Sequence, residues 1–200
     1  MVDWSDIMNN ELKKENQSEK ILQTAYECIS SKGYANVSMR DIADEAGVAL
    51  SQLTYHYKNK DGLLKEVIKI MIQEYLMEVE EHLRKGVTPK EKLSDLITYF
   101  QEVLEENPKL FKMFYDFTSM SLWSAQFSDL LRNLFENLVN LIEKYVLDDI
   151  PLKSNLRAYT PKSIARMLLG AMFGTAIQVI LDPQEKKLPE ALNAIELLFA

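Results

Sequence analysis

Two hundred residues, 47% of them apolar and only six each glycine and proline, make a chain long enough to bury a core and poor in strand-and-turn signals. That balance excludes a disordered polymer and favours an all-α fold. A single cysteine, Cys28, excludes an intramolecular disulfide; two histidines, His56 and His82, form no cluster at metal-ligand spacing; and a net charge of -7 weighs against indiscriminate binding to nucleic acid.

The opening MVDWSDIMNNELKKENQ carries acids where a secretory signal needs positive charge followed by an apolar run, so residues 1–17 read as a partly disordered leader of a cytoplasmic protein. Helical spacing then begins. Ile21, Leu22, Ala25, Tyr26, Cys28 and Ile29 predict a first helix that Gly33 ends. Ser38 and Asp41 form an acidic variant of the capping box, followed by Met39, Ile42, Ala43 and Ala46 on one stripe.

Gly47 supplies a turn, and a short helix is expected from about Ala49 to Tyr57. On a helical wheel Leu50, Leu53 and Tyr57 turn inward, leaving Ser51, Gln52 and Tyr55 outward and His56 at the edge. Asn59 can cap a long fourth helix reaching Lys85. Beyond it, helices are expected at 88–106, 108–117 and 124–145, then after Thr160-Pro161 and from Pro189, with a loop at DDIPLKSNLRAY.

Two short helices joined by a glycine turn, with small Ala43 at their crossing, form a helix-turn-helix whose second helix can enter a DNA major groove. Gln bonds adenine, Ser and Thr serve several bases, and a Tyr hydroxyl or an imidazole N–H can hold a phosphate. Lys60, in the first turn of the fourth helix, adds charge beside N–H groups suited to an anion. Within residues 38–65 the bases Arg40, Lys58, Lys60 and Lys65 are balanced by Asp41, Asp44, Glu45 and Asp61, so the module is neutral although the chain is acidic.

From about Ser18 to Val67, through the pieces KGYANVSM, RDIADEAGV and YHYKNKDGLL, the sequence resembles the DNA-binding domain of the TetR family of bacterial transcriptional regulators. The resemblance implies an N-terminal three-helix helix-turn-helix domain at 18–66 and a larger helical ligand-binding and dimerisation domain at 67–200. It implies phosphate contacts at Ser38, Arg40 and Lys60, and DNA-facing positions at Leu50, Ser51, Gln52, Thr54, Tyr55 and His56. Three positions depart from the family pattern: Ala49 stands where Ser or Thr usually caps, Thr54 where Tyr is common, and Leu50 at an exposed position that the wheel turned inward.

The segment from Tyr99 to Phe127 is dense in aromatics and methionines, and its stretch from Lys112 to Asp129 contains one internal charge, Asp116. Such side chains line adaptable apolar pockets as well as ordinary cores. The resemblance implies a small, hydrophobic effector here, with Tyr99, Met113, Phe114, Phe117, Met120, Trp123, Phe127 and Phe173 as candidate contacts. RMLLGAMFGTAIQVILD is apolar on every side and must be covered. Its longest uncharged run, Met167 to Leu181, is shorter than the roughly 20 residues that span a bilayer, so no membrane span is expected.

With ALNAIELLFA that helix resembles the family's two-helix contribution to a homodimer, implying Gly170, Gly174, Ile177, Leu192, Ile195 and Phe199 at the interface. Twofold symmetry implies a near-palindromic operator with half-sites roughly 34 to 36 Å apart, and the family pattern implies repression relieved when an effector moves helices around Phe111 to Phe117 against the long fourth helix. No nucleophile, base and orienter can be assembled, no metal or cofactor is expected, and an enzyme is not indicated. The rival reading is a helical protein-interaction adaptor that kept the fold without DNA binding.

Overall fold

Every regular element among the described residues of the computed structural model, 17–148 and 156–199, is helical. The side chains of 196–199 lie outside the description, as do the expected leader before Gln17 and residues 149–155 of the expected loop. In chain order the elements are α1 (Gln17–Lys32), a 3₁₀ turn (Tyr34–Asn36), α2 (Met39–Ala46), α3 (Leu50–Tyr57) and α4 (Lys60–Lys85). Then come α5 (Pro89–Glu106), α6 (Pro108–Ser121), α7 (Ala125–Ile142), α8 (Pro161–Leu181) and a 3₁₀ segment (Pro189–Phe199).

Local chemistry accounts for most boundaries. At α5, Thr88 accepts from Glu91 N at 3.2 Å while Glu91 returns a carboxylate to Thr88 N at 3.1 Å, and Pro89 fills a position whose N–H has no helical partner. Thr160 caps α8 by accepting from Ser163 N at 3.2 Å, again with a proline at the first helical position. Two windings depart from expectation. The end of α7 loosens into a π turn at Glu143–Leu147, closed by Asp148 N to Glu143 O. Pro189–Phe199 winds as 3₁₀, where three residues per turn bring buried Pro189, Leu192 and Ile195 onto one line.

The chain packs as two compact units. One runs to Glu74 and takes in Lys112–Ser128; the other holds Tyr75–Phe111 and the described chain from Asp129 onward. The first unit thus extends past residue 66 and includes a segment from the chain's larger half.

The core of the first unit is Ile21, Ala25, Ile29, Ile42, Ala46, Leu53, Leu63 and Val67, none more than 1% exposed. In the second, the rings of Phe100, Phe111 and Phe135 surround Phe173, with centroids 5.5, 6.5 and 5.5 Å from it. Apolar burial of this kind dominates the stabilisation of both.

By length and a mean hydropathy of 1.8, α8 could cross a membrane. In the chain it buries Ile164, Ala165, Leu168, Leu169, Met172 and Ala176, and leaves a face with Met167, Gly170, Ala171 and Leu181 exposed. Within the single chain, then, this helix is covered on one side and open on the other.

Candidate nucleic-acid interface

The interface is assembled from three short pieces of backbone. At the start of α2, Ser38 Oγ accepts from Asp41 N at 3.2 Å and Asp41 Oδ2 accepts from Ser38 N at 2.7 Å, completing the box. The hydroxyl and N–H of Ser38 hold the Asp41 carboxyl below its usual range. Helix geometry leaves the first N–H groups of α2 outward beside exposed Arg40, and a surface depression lined by Asn36, Ser38, Met39 and Lys60 opens at this end.

The turn between α2 and α3 follows from one residue. Gly47 has φ 69° and ψ 36°, a left-handed conformation, and donates to Asp44 O at 3.2 Å while Val48 N reaches Ala43 O at 3.0 Å. A side chain at residue 47 would oppose that conformation. Ala43 and Ala46, 1% and 0% exposed, keep the two helices close.

With Leu53 and Tyr57 buried, α3 presents Ser51, Gln52, Thr54, Tyr55 and His56 to solvent, Tyr55 being 84% exposed. Leu50 is half-buried, between the inward place its spacing gave and the outward place of the family pattern. Ala49 has no side-chain acceptor, and Gln52 supplies half a cap, its Oε1 accepting from Ala49 N at 3.2 Å. Thr54 donates its hydroxyl to Leu50 O at 2.9 Å, and the His56 ring meets Tyr55 edge-on with centroids 5.3 Å apart. Tyr57 reaches Ser18 Oγ at 2.8 Å, and burial pushes its phenol up.

α3 stops at Lys58, whose φ of 65° and ψ of -54° form the rare γ-turn closed by Asn59 N to Tyr57 O at 2.7 Å. Asn59 then caps α4 by accepting from Gly62 N at 2.8 Å. A Cβ on Gly62 would stand 2.1 Å from Tyr57 O, so the close join of α3 to α4 requires glycine there.

Lys60 commits two of the three donors of its ammonium group inside the chain. Its ammonium donates to Tyr34 O and to Val37 O, each at 2.7 Å, and lies 4.0 Å from the centre of the Tyr34 ring. Sequence reasoning foresaw the charge and missed this bracing, because the acceptors lie more than twenty residues away.

The effector candidates fall into the two units. Met113, Phe117 and Phe127 are buried in the first, with the Phe117 and Phe127 rings 6.1 Å apart, and Phe114 and Met120 are half-buried. Tyr99 and Phe173 belong to the second, where Tyr99 donates to Glu78 Oε2 at 2.5 Å and stacks on His82 at 4.2 Å. Trp123 does not line an enclosed pocket: the tight turn after α6 leaves it 89% exposed.

Among the interface candidates, Gly170 is exposed and Gly174 and Ile177 are partly so, and a Cβ on either glycine would meet nothing within 4 Å. Leu192 and Ile195, at 1% and 6% exposure, are instead used inside the chain, because the 3₁₀ line that carries them packs on α5 and α8. The side chain of Phe199 lies outside the described residues.

Residues 21–67 match the family model described as bacterial regulatory proteins, tetR family. The HTH-type transcriptional regulator PksA of Bacillus subtilis (strain 168) is 25% identical over 178 residues, covering 88% of this chain and 84% of that protein. A TetR transcription regulator from Haloarcula marismortui has the same fold, with a TM-score of 0.76 at 21% identity over 92% of this chain and 96% of the other. The fold also matches FadR from Bacillus subtilis, solved in complex with stearoyl-CoA, with a TM-score of 0.68 at 21% identity, covering 90% and 97%.

Proposed function

Since the chain belongs to the TetR family of bacterial regulatory proteins and is a transcriptional regulator with a helix-turn-helix DNA-binding domain, we propose that it is a repressor that binds a near-palindromic operator as a homodimer and leaves it on binding a small hydrophobic effector. The observation that carries the reading is the outward face of α3. Five neighbouring polar or aromatic side chains stand exposed there while Leu53 and Tyr57 anchor the helix from behind. An eight-residue helix held by a capped α2, a left-handed glycine and a seated α4 is stiff enough to present them to base edges.

The open face of α8 supports the dimer. Small Gly170, Ala171 and Gly174 allow close approach of a second α8, and Met167 and Leu181 add apolar area at either end. Leu192 and Ile195 are left out of that contact. The effector reading rests on the buried aromatic clusters, and FadR, a neighbour in fold, was crystallised with stearoyl-CoA, an amphiphile with a long apolar chain. The same reading makes the cytoplasm its proposed place of action, where a bacterial operator is found.

The test is selection from randomised duplex DNA with the purified protein, repeated with Tyr55→Ala. An enriched palindrome that weakens in the variant supports the regulator. No enrichment at low salt would favour the protein-interaction adaptor that the chain's net charge of -7 makes the rival. With an operator in hand, release of a fluorescent duplex by stearoyl-CoA tests the effector class, and unchanged anisotropy would count against a long acyl chain.

A further inference from the structure

Asp116 is the single charge inside an apolar and aromatic stretch, between Lys112 and Asp129. It projects from α6 within the unit that contains α1 to α3. Its Oδ2 accepts a hydrogen bond from Tyr34 N at 3.1 Å. The donor is presented by Gly33, whose φ of 80° and ψ of 150° lie in a region that only glycine occupies readily. A Cβ at Gly33 would stand 3.6 Å from the same carboxylate oxygen, so Asp116 sits directly against this turn.

The other side of the turn is held from the start of α4. Lys60 bonds the carbonyls of Tyr34 and Val37, and the Tyr34 hydroxyl donates to Asp61. Val37 is 2% exposed, and Ser38, the cap of α2, follows it. The 33–37 turn is thus clamped between α4 and α6 immediately before the helix-turn-helix.

We propose that Asp116 is a positioning residue that ties α6 to the base of the helix-turn-helix, so that a displacement of α6 reaches α2 through the Tyr34 amide without passing along α4. A carboxylate suits the task because a charge-assisted bond to a backbone N–H is strong and directional. The lone acid in an apolar run is the sequence trace of this tie. Its role in DNA binding rests on the regulator reading above; the tie itself does not.

Amide exchange measured by 1H–15N NMR on the full chain tests it, first without DNA. Asp116→Ala should speed exchange at Tyr34 roughly tenfold relative to the native chain. Asp116→Asn, which keeps an acceptor, should restore much of the protection, and Lys112→Ala should leave it unchanged. Unaltered Tyr34 exchange in Asp116→Ala would overturn the tie whatever the protein binds.

The second arm adds the selected operator duplex. Binding should slow exchange at 50–57 and also in α6, and in Asp116→Ala only the α6 response should disappear. An equal α6 response in both proteins would overturn the coupling. Failure to select any duplex would count against the regulator reading, and the DNA-free arm would still decide the tie.

Discussion

Gln52 holds the first turn of α3 through its amide oxygen, although it is also the side chain best suited to read adenine. The two roles separate by substitution. Gln52→Glu keeps the acceptor for Ala49 N and loses the amide donor, whereas Gln52→Ala loses both. Glu should retain the native melting temperature and weaken operator binding, while Ala should lower stability by about 1 kcal/mol as well, comparable to the loss of a helix cap. Equal melting temperatures for Glu and Ala would show that the cap contributes nothing. At the neighbouring boundary, Lys58 holds a positive φ that costs a non-glycine residue about 1 kcal/mol or more. Lys58→Gly should therefore raise the urea midpoint and, by removing a cation at the end of the recognition helix, weaken DNA binding most at low salt. A lowered midpoint would refute the strain.

At the scale of elements, the join of α4 to the π turn is electrostatic. Glu80 accepts from the Tyr145 hydroxyl at 2.7 Å, from Arg84 at 2.9 Å and from Lys144 at 3.4 Å. Tyr145 first, then Arg84 and Lys144, bring its pKa from 4.5 to about 2. Because the folded value is depressed, this contribution is complete above pH 4.5 and is lost as pH falls through about 2. Glu80→Gln should thus lower the thermal midpoint at pH 6 and narrow its difference from the native chain on acidification toward pH 2. A difference independent of pH would refute the assignment. The group is near solvent, so the effect should also shrink with added salt.

For the whole molecule, the proposed homodimer rests on the open face of α8. Because a Cβ at Gly170 meets no atom within 4 Å in the chain, Gly170→Arg should leave the fold and its melting profile intact at low protein concentration. If the proposed homodimer forms through this face, the variant should sediment as a monomer where the native chain is dimeric, and its affinity for a two-half-site operator should fall sharply. A variant that stays dimeric would place the interface elsewhere.

Much of this architecture was legible in local sequence. Ser38 with Asp41, Gly47, Thr88 with Pro89, and Thr160 with Pro161 announce helix boundaries because caps and left-handed turns depend on residues within four positions of one another. The alternation that buries Leu53 and Tyr57 and exposes Tyr55 follows from helical spacing in the same way. Tertiary structure alone decided that Lys60 braces Tyr34 and Val37, that Asp116 reaches Tyr34, that Trp123 faces solvent, and that Leu192 and Ile195 turn inward. The two bonded outcomes depend on which distant backbone groups come within about 3 Å, and the others on what packs over a side chain and where a turn aims it, none of which periodicity and composition encode.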